Sequence, residues 1–389
     1  MQRRKFKQPS AGRSILWRVV ALSIAIGSGA ITAEVALRWW VSDQARVATL
    51  ATGFADAPWR LAWVAGHRGP AATAYPIDSF DDVLGWSLRP SLRDVSVGGA
   101  LVNSNSNGVR GSRAYAIPKP PGRIRILAFG DSYVFGEEVG DDETFASRLE
   151  HELENVDVVN MGVHGYGQDQ MLLRLRRSAS LYQPDVVILG YAPWDEERNL
   201  LSFRDYAKPY FDLEGGRLVL KGVPVPAPEE ILSSEVYRSK LVDLGVLALR
   251  RVRWQRGTLQ DESRLLANAL LVAFAESVRE LGAHLLVVYL PATWGDLRAE
   301  PAGREREIED LCRQEGISFF SLREAFRRSL SAEDLREGHH WGRVEHAAAA
   351  CALAEALQGS EARLGISAVA RPSCQRSSET HPSREMSDG

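Results

Sequence analysis

Cysteine is scarce in this chain: three residues in 389, Cys312, Cys351 and Cys374, too few and too widely spaced for a disulfide-dense scaffold. No Cys-x-x-Cys or Cys/His spacing of the zinc-binding kind occurs, so no metal site is signalled. Neither sign of charge dominates. The 47 Lys+Arg and 50 Asp+Glu give a formal net charge of -3, which leaves no global field to draw nucleic acid. Internal repeats are lacking too. Hydrophobic residues at 45% and charged residues at 25% exclude collagen-like, coiled-coil and wholly disordered chains. At about 150 residues per domain, the length fits one large or two modest domains.

One absence is local and informative: residues 1–33 hold Arg3, Arg4, Lys5, Lys7, Arg13 and Arg18 but no acidic side chain, the first being Glu34. Val19 to Ala33 is an uncharged run, short of the roughly 20 residues of a spanning helix but extended by its flanks. Arg18 can snorkel, Glu34 and Arg38 stand one helical turn apart, and Trp39 and Trp40 suit a membrane interface. The positive-inside rule puts the N-terminus in the cytoplasm and the rest across the membrane, periplasmic where there is an outer membrane. A signal peptide cleaved after Ala30 or Ala33, releasing a secreted protein, is the competing reading; the tryptophan pair favours a retained anchor.

Residues 1–40 are thus expected to be the basic end and anchor, and 41–121 a helical or irregular stalk with a turn-rich, β-containing lead-in. From residue 122 the rhythm becomes that of a parallel α/β sheet: the strand IRILAFG, a helix over ETFASRLEHELEN, the strand VDVVNMG, a helix over QMLLRLRRSASL and the strand DVVILGYA. The alternation lapses over 195–262. This insertion holds a hairpin candidate at Tyr210 to Gly222, turning at Glu214, Gly215 and Gly216, and a helical run SEVYRSKLVDLGVLALRRVRW. A helix from Glu262 to Gly282, the strand HLLVVYLPA, a helix from Arg304 to Gln314, the strand ISFFSL and a last helix VEHAAAACALAEALQ complete the α/β body by residue 358. The Ser/Arg/Pro-rich residues 359–389 read as a disordered tail.

Ligands in parallel α/β sheets gather at strand carboxyl ends, so the residues after each strand carry most information. After the first comes GDSYVFGEEVGDD, with Ser132 in a glycine-flanked turn before a helix. After the second comes NMGVHGYGQDQ, and before the last helix EGHHWGRVEH, with Glu337 three residues ahead of His340. A serine nucleophile needs a base, and the base a carboxylate to fix its tautomer. These three blocks, in this order, resemble the SGNH/GDSL hydrolase superfamily over roughly residues 122–358. The resemblance implies a three-layer α/β sandwich with a mainly parallel sheet, here preceded by a transmembrane helix and a small β-containing lead-in. It implies Ser132 as nucleophile, His340 as general base and Glu337 in the family's aspartate position. The Ser132 and Gly165 amides would form the oxyanion hole, Gly165 standing five residues after Asn160. Asp131 and Asp195 read as braces of their turns, His164 as a solvent-facing loop residue. Cys312 and Cys351, on two late helices, are either bridged or buried thiols.

Two positions depart from the family pattern. In the third block, GYAPWDEERN, Trp194 stands where an asparagine side chain normally donates the third oxyanion hydrogen bond. Glu337 for aspartate is milder, adding a methylene and keeping the charge. The resemblance implies a serine esterase or O-acyl transferase acting by a Ser-His-Glu triad on an acyl, foremost acetyl, ester of a cell-envelope glycan, without cofactor. The rival is an SGNH-fold glycan-binding or envelope-assembly protein, with Trp194 as a stacking platform. Membrane and acylated carbohydrate are the expected partners; nothing points to a protein partner.

Overall fold

The computed structural model describes residues 11–50, 53–67, 73–298, 303–335 and 339–358. Helix α1 (Ala11–Val41) contains a span, Ile15–Val41, long and apolar enough to cross a bilayer, and it is exposed from Ile15 to Thr32. Short helices α2 (Gln44–Ala48) and α3 (Asp56–Gly66) and two antiparallel hairpins follow, β1 (Asp78–Asp81) with β2 (Gly85–Leu88) and β3 (Val95–Val97) with β4 (Ala100–Val102). The lead-in is therefore β-containing, as expected, but it is clamped rather than stalk-like. The Trp86 indole, fully buried, donates to the His164 carbonyl (3.1 Å), and Gln170 donates to that of Leu84 (2.8 Å).

The body alternates as the sequence reads: β5 (Ile124–Phe129), α4 (Ser132–Phe135), α5 (Phe145–Glu152), β6 (Val156–Asn160), α6 (Gln168–Tyr182), β7 (Val186–Tyr191) and the single turn α7 (Asp195–Arg198). The insertion adds β8 (Phe203–Arg204), β9 (Tyr206–Ala207), the hairpin β10 (Tyr210–Glu214) and β11 (Arg217–Lys221), α8 (Pro228–Glu235), α9 (Lys240–Gln255) and the start of α10 (Thr258–Glu280). The predicted hairpin forms with Gly215 and Gly216 at its turn. The predicted single helical run over 234–254 does not. It breaks at Val236–Ser239, where Ser239 leaves helical geometry and its hydroxyl caps α9 by accepting from Val242 N. Then come β12 (His284–Tyr289), α11 (Trp294–Arg298), α12 (Gly303–Glu315), β13 (Ser318–Ser321), α13 (Arg323–Ser329) and α14 (Arg343–Gln358). Helices α11 and α13 have no counterpart in the sequence reading.

The five body strands form one parallel sheet in the order β6-β5-β7-β12-β13. Both faces are covered, which is why the strands read as apolar runs rather than alternations. Leu149, Phe326 and Leu353 pack one face; Leu172, Leu270 and Ile308 pack the other. The exception is a charged pair inside the sheet. Arg125 and Asp157 sit opposite one another on β5 and β6 and pair at 2.9 Å, with Arg125 also donating to the carbonyls of Ala116 and Tyr182. From β5 the chain steps one way to β6 and the other way to β7, opening a crevice at the carboxyl end of β5. The tail and Cys374 lie outside the described residues. Cys312 is a buried free thiol, so a Cys312–Cys351 bridge is not formed.

Candidate active site

Ser132 stands in that crevice. Asp131 is extended and caps α4, its Oδ1 accepting from Tyr133 N (3.0 Å), which makes Ser132 the first residue of the helix. The His340 imidazole, from the segment before α14, meets it with Nε2 2.8 Å from Ser132 Oγ. Ser132 is buried and His340 part-exposed, so the pair opens toward solvent from the imidazole side. The adjacent His339 is exposed, its Nδ1 3.6 Å from Glu138 Oε2.

The second block encloses the serine helix. Asn160 ends β6, donates from Nδ2 to Val134 O (2.9 Å) and accepts from Gly162 N (3.0 Å), joining the two loops. A Cβ on Gly162 would stand 2.5 Å from Phe135 N, so a side chain there would force the loops apart. Gly165 has φ +74°, and a Cβ there would lie 2.4 Å from Asp205 Oδ2. Among the described residues, neither the Ser132 amide nor the Gly165 amide has a hydrogen-bond acceptor.

Trp194 ends the third loop. Its indole N-H donates to Asp131 Oδ2 (2.9 Å), and its ring lies against Tyr133 at 5.0 Å between centroids. The indole N-H at the position where the resemblance implies an asparagine is thus engaged with the cap of the Ser132 helix. Arg198 Nη1 also donates to Asp131 Oδ2 (3.0 Å) and pairs with Asp195. Arg198 thus joins the Asp131 and Asp195 carboxylates, the two residues that the sequence reading takes as braces of their turns. Burial, reinforced by the Asp131 charge, pushes the Asp195 carboxyl well above the usual carboxylate range.

The carboxylates around His340 are the part that sequence reasoning missed. Glu337 lies outside the described residues. Glu138 places Oε1 3.5 Å from His340 Nδ1 and accepts from the His340 backbone N-H at 3.2 Å; the buried Glu137 places Oε2 3.7 Å from Nε2. Two adjacent carboxylates five and six residues after the serine, in SYVFGEE, were the available signal. His164 corrects another expectation: it is buried, not solvent-facing, because the lead-in covers it. Its Nε2 lies 2.9 Å from Asp78 Oδ2, and Tyr75 stacks on its ring at 3.9 Å. Burial acts to lower its basicity, but the adjacent Asp78 outweighs this and the imidazole is raised. Tyr75 also lines a cavity of about 470 Å³ with Trp59, Trp63, His67, Pro76 and Asp205. Among the described residues no cluster of three or more His, Cys, Asp or Glu side chains could hold a metal ion.

No family model matches the sequence, and no curated protein sequence matches it. Among solved structures the chain is similar to a psychrotrophic esterase, EstA, from Pseudoalteromonas sp. (10% identity, 60% of this chain and 97% of the other, TM-score 0.36). It is also similar to a lipase/acylhydrolase from Enterococcus faecalis (14%, 61% and 96%, TM-score 0.35). A third is an acetylxylan esterase, Axe2, from Geobacillus stearothermophilus (14%, 61% and 93%, TM-score 0.34). The parallel sheet in the order β6-β5-β7-β12-β13, with Ser132 after β5 and His340 before the last helix, is the α/β arrangement that the SGNH/GDSL resemblance implies.

Proposed function

We propose that the chain is a membrane-anchored serine esterase or O-acyl transferase whose main domain lies outside the cytoplasm. The observation that carries this reading is the 2.8 Å contact between Ser132 Oγ and His340 Nε2; the Ser132 and Gly165 amides, without acceptors among the described residues, support it. In this scheme Ser132 Oγ attacks the ester carbonyl carbon as its proton passes to His340 Nε2. The negative oxygen so formed is held by the Ser132 and Gly165 amides. Collapse breaks the bond to the leaving alkoxide, which takes the proton from His340 and leaves acyl-Ser132. Water or a sugar hydroxyl then gives a proton to His340 as it attacks the acyl carbon, and the departing Ser132 Oγ takes that proton back from His340 Nε2, which frees the serine. The ring is oriented by Glu337, by Glu138 at 3.5 Å from Nδ1, or by both in turn. A cell-envelope glycan carrying acyl, foremost acetyl, esters is the substrate class; the aromatic cavity of Trp59, Trp63 and Tyr75 suits sugar rings. Domain limits near residues 40, 121 and 358 go with this reading.

A second reading, a glycan-binding or assembly protein without turnover, is favoured by one observation: the Trp194 N-H is engaged by Asp131 and supplies no third oxyanion donor. Loss of one such donor costs on the order of 100- to 1000-fold in rate, which slows turnover without abolishing acylation. Fluorophosphonate labelling of the full chain separates the two. Labelling that disappears in Ser132→Ala and His340→Ala is expected. Glu337→Gln and Glu138→Gln, compared in the same assay, show which carboxylate orients the base. Folded wild-type protein that never labels, even with Trp194→Asn, overturns the esterase reading.

A further inference from the structure

Helix α1 meets the body of the protein at a sharp level. Every residue from Ile15 to Thr32 is exposed, whereas Ala33, Glu34, Leu37, Arg38, Trp40 and Val41 form a half-buried face. At 1.5 Å per residue, Ile15 to Ala33 is about 27 Å, close to the thickness of a bilayer's hydrocarbon core. What the body places against Glu34 and Arg38 therefore stands at the far interface of the bilayer that α1 spans.

That element is the α8–α9 elbow, Val236–Ser239. Glu34 Oε1 accepts from Lys240 N (3.0 Å), and its Oε2 accepts from Leu241 N (3.0 Å) and the Ser239 hydroxyl (2.9 Å). Arg38 donates to the carbonyls of Val236 (3.1 Å) and Arg238 (2.9 Å) while pairing with Glu34 at 2.8 Å. Behind the elbow, buried Arg60 of α3 pairs with Glu235 and Asp243, so both helices of the bend are tied to α3. Its outer side is apolar and bare: Tyr237 is 89% exposed, Val236 65%, Val242 63% and Leu249 60%, and Val246 between the last two is exposed as well. Val242, Val246 and Leu249, spaced by four and three residues, share one face of α9. Solvent-exposed apolar residues scattered singly need no explanation; a tyrosine and four aliphatic side chains on one bend and one helix face do.

We infer that the α8–α9 elbow is a second membrane contact, a foot that inserts Val236, Tyr237 and Val242 into the interfacial zone of the bilayer beside α1. The inference rests on the reading of α1 as a membrane anchor. Continuity selects the occupant. The patch is hydrogen-bonded to the helix at the depth where head groups begin, and tyrosine with short aliphatic side chains is the composition that this zone favours. With α1 and the foot both seated, the body has two points of attachment and cannot swivel about the anchor, so the Ser132 crevice keeps one orientation to the membrane.

The test uses the full chain in phosphatidylcholine/phosphatidylglycerol vesicles, with an environment-sensitive fluorescent amino acid in place of Tyr237, Ile24 or Leu101. Lipids carrying nitroxide quenchers at shallow or deep acyl positions report depth. Position 237 is expected to lose at least about half its emission to the shallow quencher, Ile24 to lose as much to the deep one, and Leu101, on the distant β4, to be unchanged. Quenching at Ile24 with none at 237 overturns the foot while leaving the anchor. Absence of quenching at both positions overturns the anchor reading and the foot with it. Emission at 237 that follows the protein-to-lipid ratio instead of the quencher assigns the patch to a second copy of the chain and also overturns the foot.

Discussion

At the scale of single residues, three histidines close to the serine loops have three different jobs, and their surroundings assign them. His340 touches the serine. His164 pairs with Asp78 beneath the lead-in. His346 is wholly buried on α14, where its Nδ1 accepts from the Phe145 backbone N-H (3.1 Å), a bond that only the neutral ring can make. Burial, with smaller repulsion from Arg110 and Arg148, lowers its pKa to about 3. The unfolded chain takes up this proton near the ordinary histidine value of 6.5 and the folded chain only near 3. Between those values the unfolded state binds more protons, so the stability that the neutral ring supports is lost as pH falls from about 6.5 toward 3, with a slope of at most about 1.4 kcal/mol per pH unit. Denaturant titrations of His346→Gln across that range should show a shallower loss than wild type, with the two curves parallel above pH 7.5. The sequence makes His340 legible because Glu337 and the chain order frame it. Nothing in HGYG reveals that His164 is covered, because the covering residues, Tyr75 and Asp78, lie more than 80 positions earlier.

At the scale of elements, the insertion is joined to the body by apolar residues such as Phe203, Tyr206 and Phe211 and also by a buried ion pair. Lys208, just after β9, is fully buried and pairs with Asp169 in the first turn of α6, donating also to the carbonyls of Arg198 and Leu201. Breaking a buried pair from one side leaves the other charge stranded, at about 3–5 kcal/mol. Lys208→Met should therefore lower the unfolding free energy by that amount in urea titration, and Lys208→Met with Asp169→Leu should recover much of it. The parallel strands and their helices were legible because a sheet covered on both faces demands continuous apolar runs. The break between α8 and α9 was not. Residues 234–254 have helical periodicity throughout, and what ends one helix and starts the next includes the Glu34 carboxylate, which is about 200 residues away in the chain. Helices α11 and α13 were missed because each is two turns or fewer, too short to show a period.

For the molecule as a whole, the Ser132–His340 pair and helix α1 are held by different parts of the chain. The serine, the histidine and the glycines of the second block belong to loops at the carboxyl edge of the parallel sheet, and this placement follows from the strand order alone. Helix α1, α3 and the insertion form a second body of contacts, and here the sequence is a poor guide because the contacts cross long separations. Helix α9 is gripped at both ends by residues from the first sixth of the chain. Glu34 holds its start. Near its end Arg250 donates to the Phe54 carbonyl, and Trp254 stacks on Phe54 at 5.2 Å. A ribosome makes those residues first. When α9 leaves the exit tunnel the residues that grip it are already made, so the insertion can dock onto them as it emerges. A circular permutant that moves residues 1–55 behind the body reverses this order, and in cell-free synthesis its tryptophan fluorescence should reach the folded value later after chain completion than that of the natural chain, even where the final structures coincide.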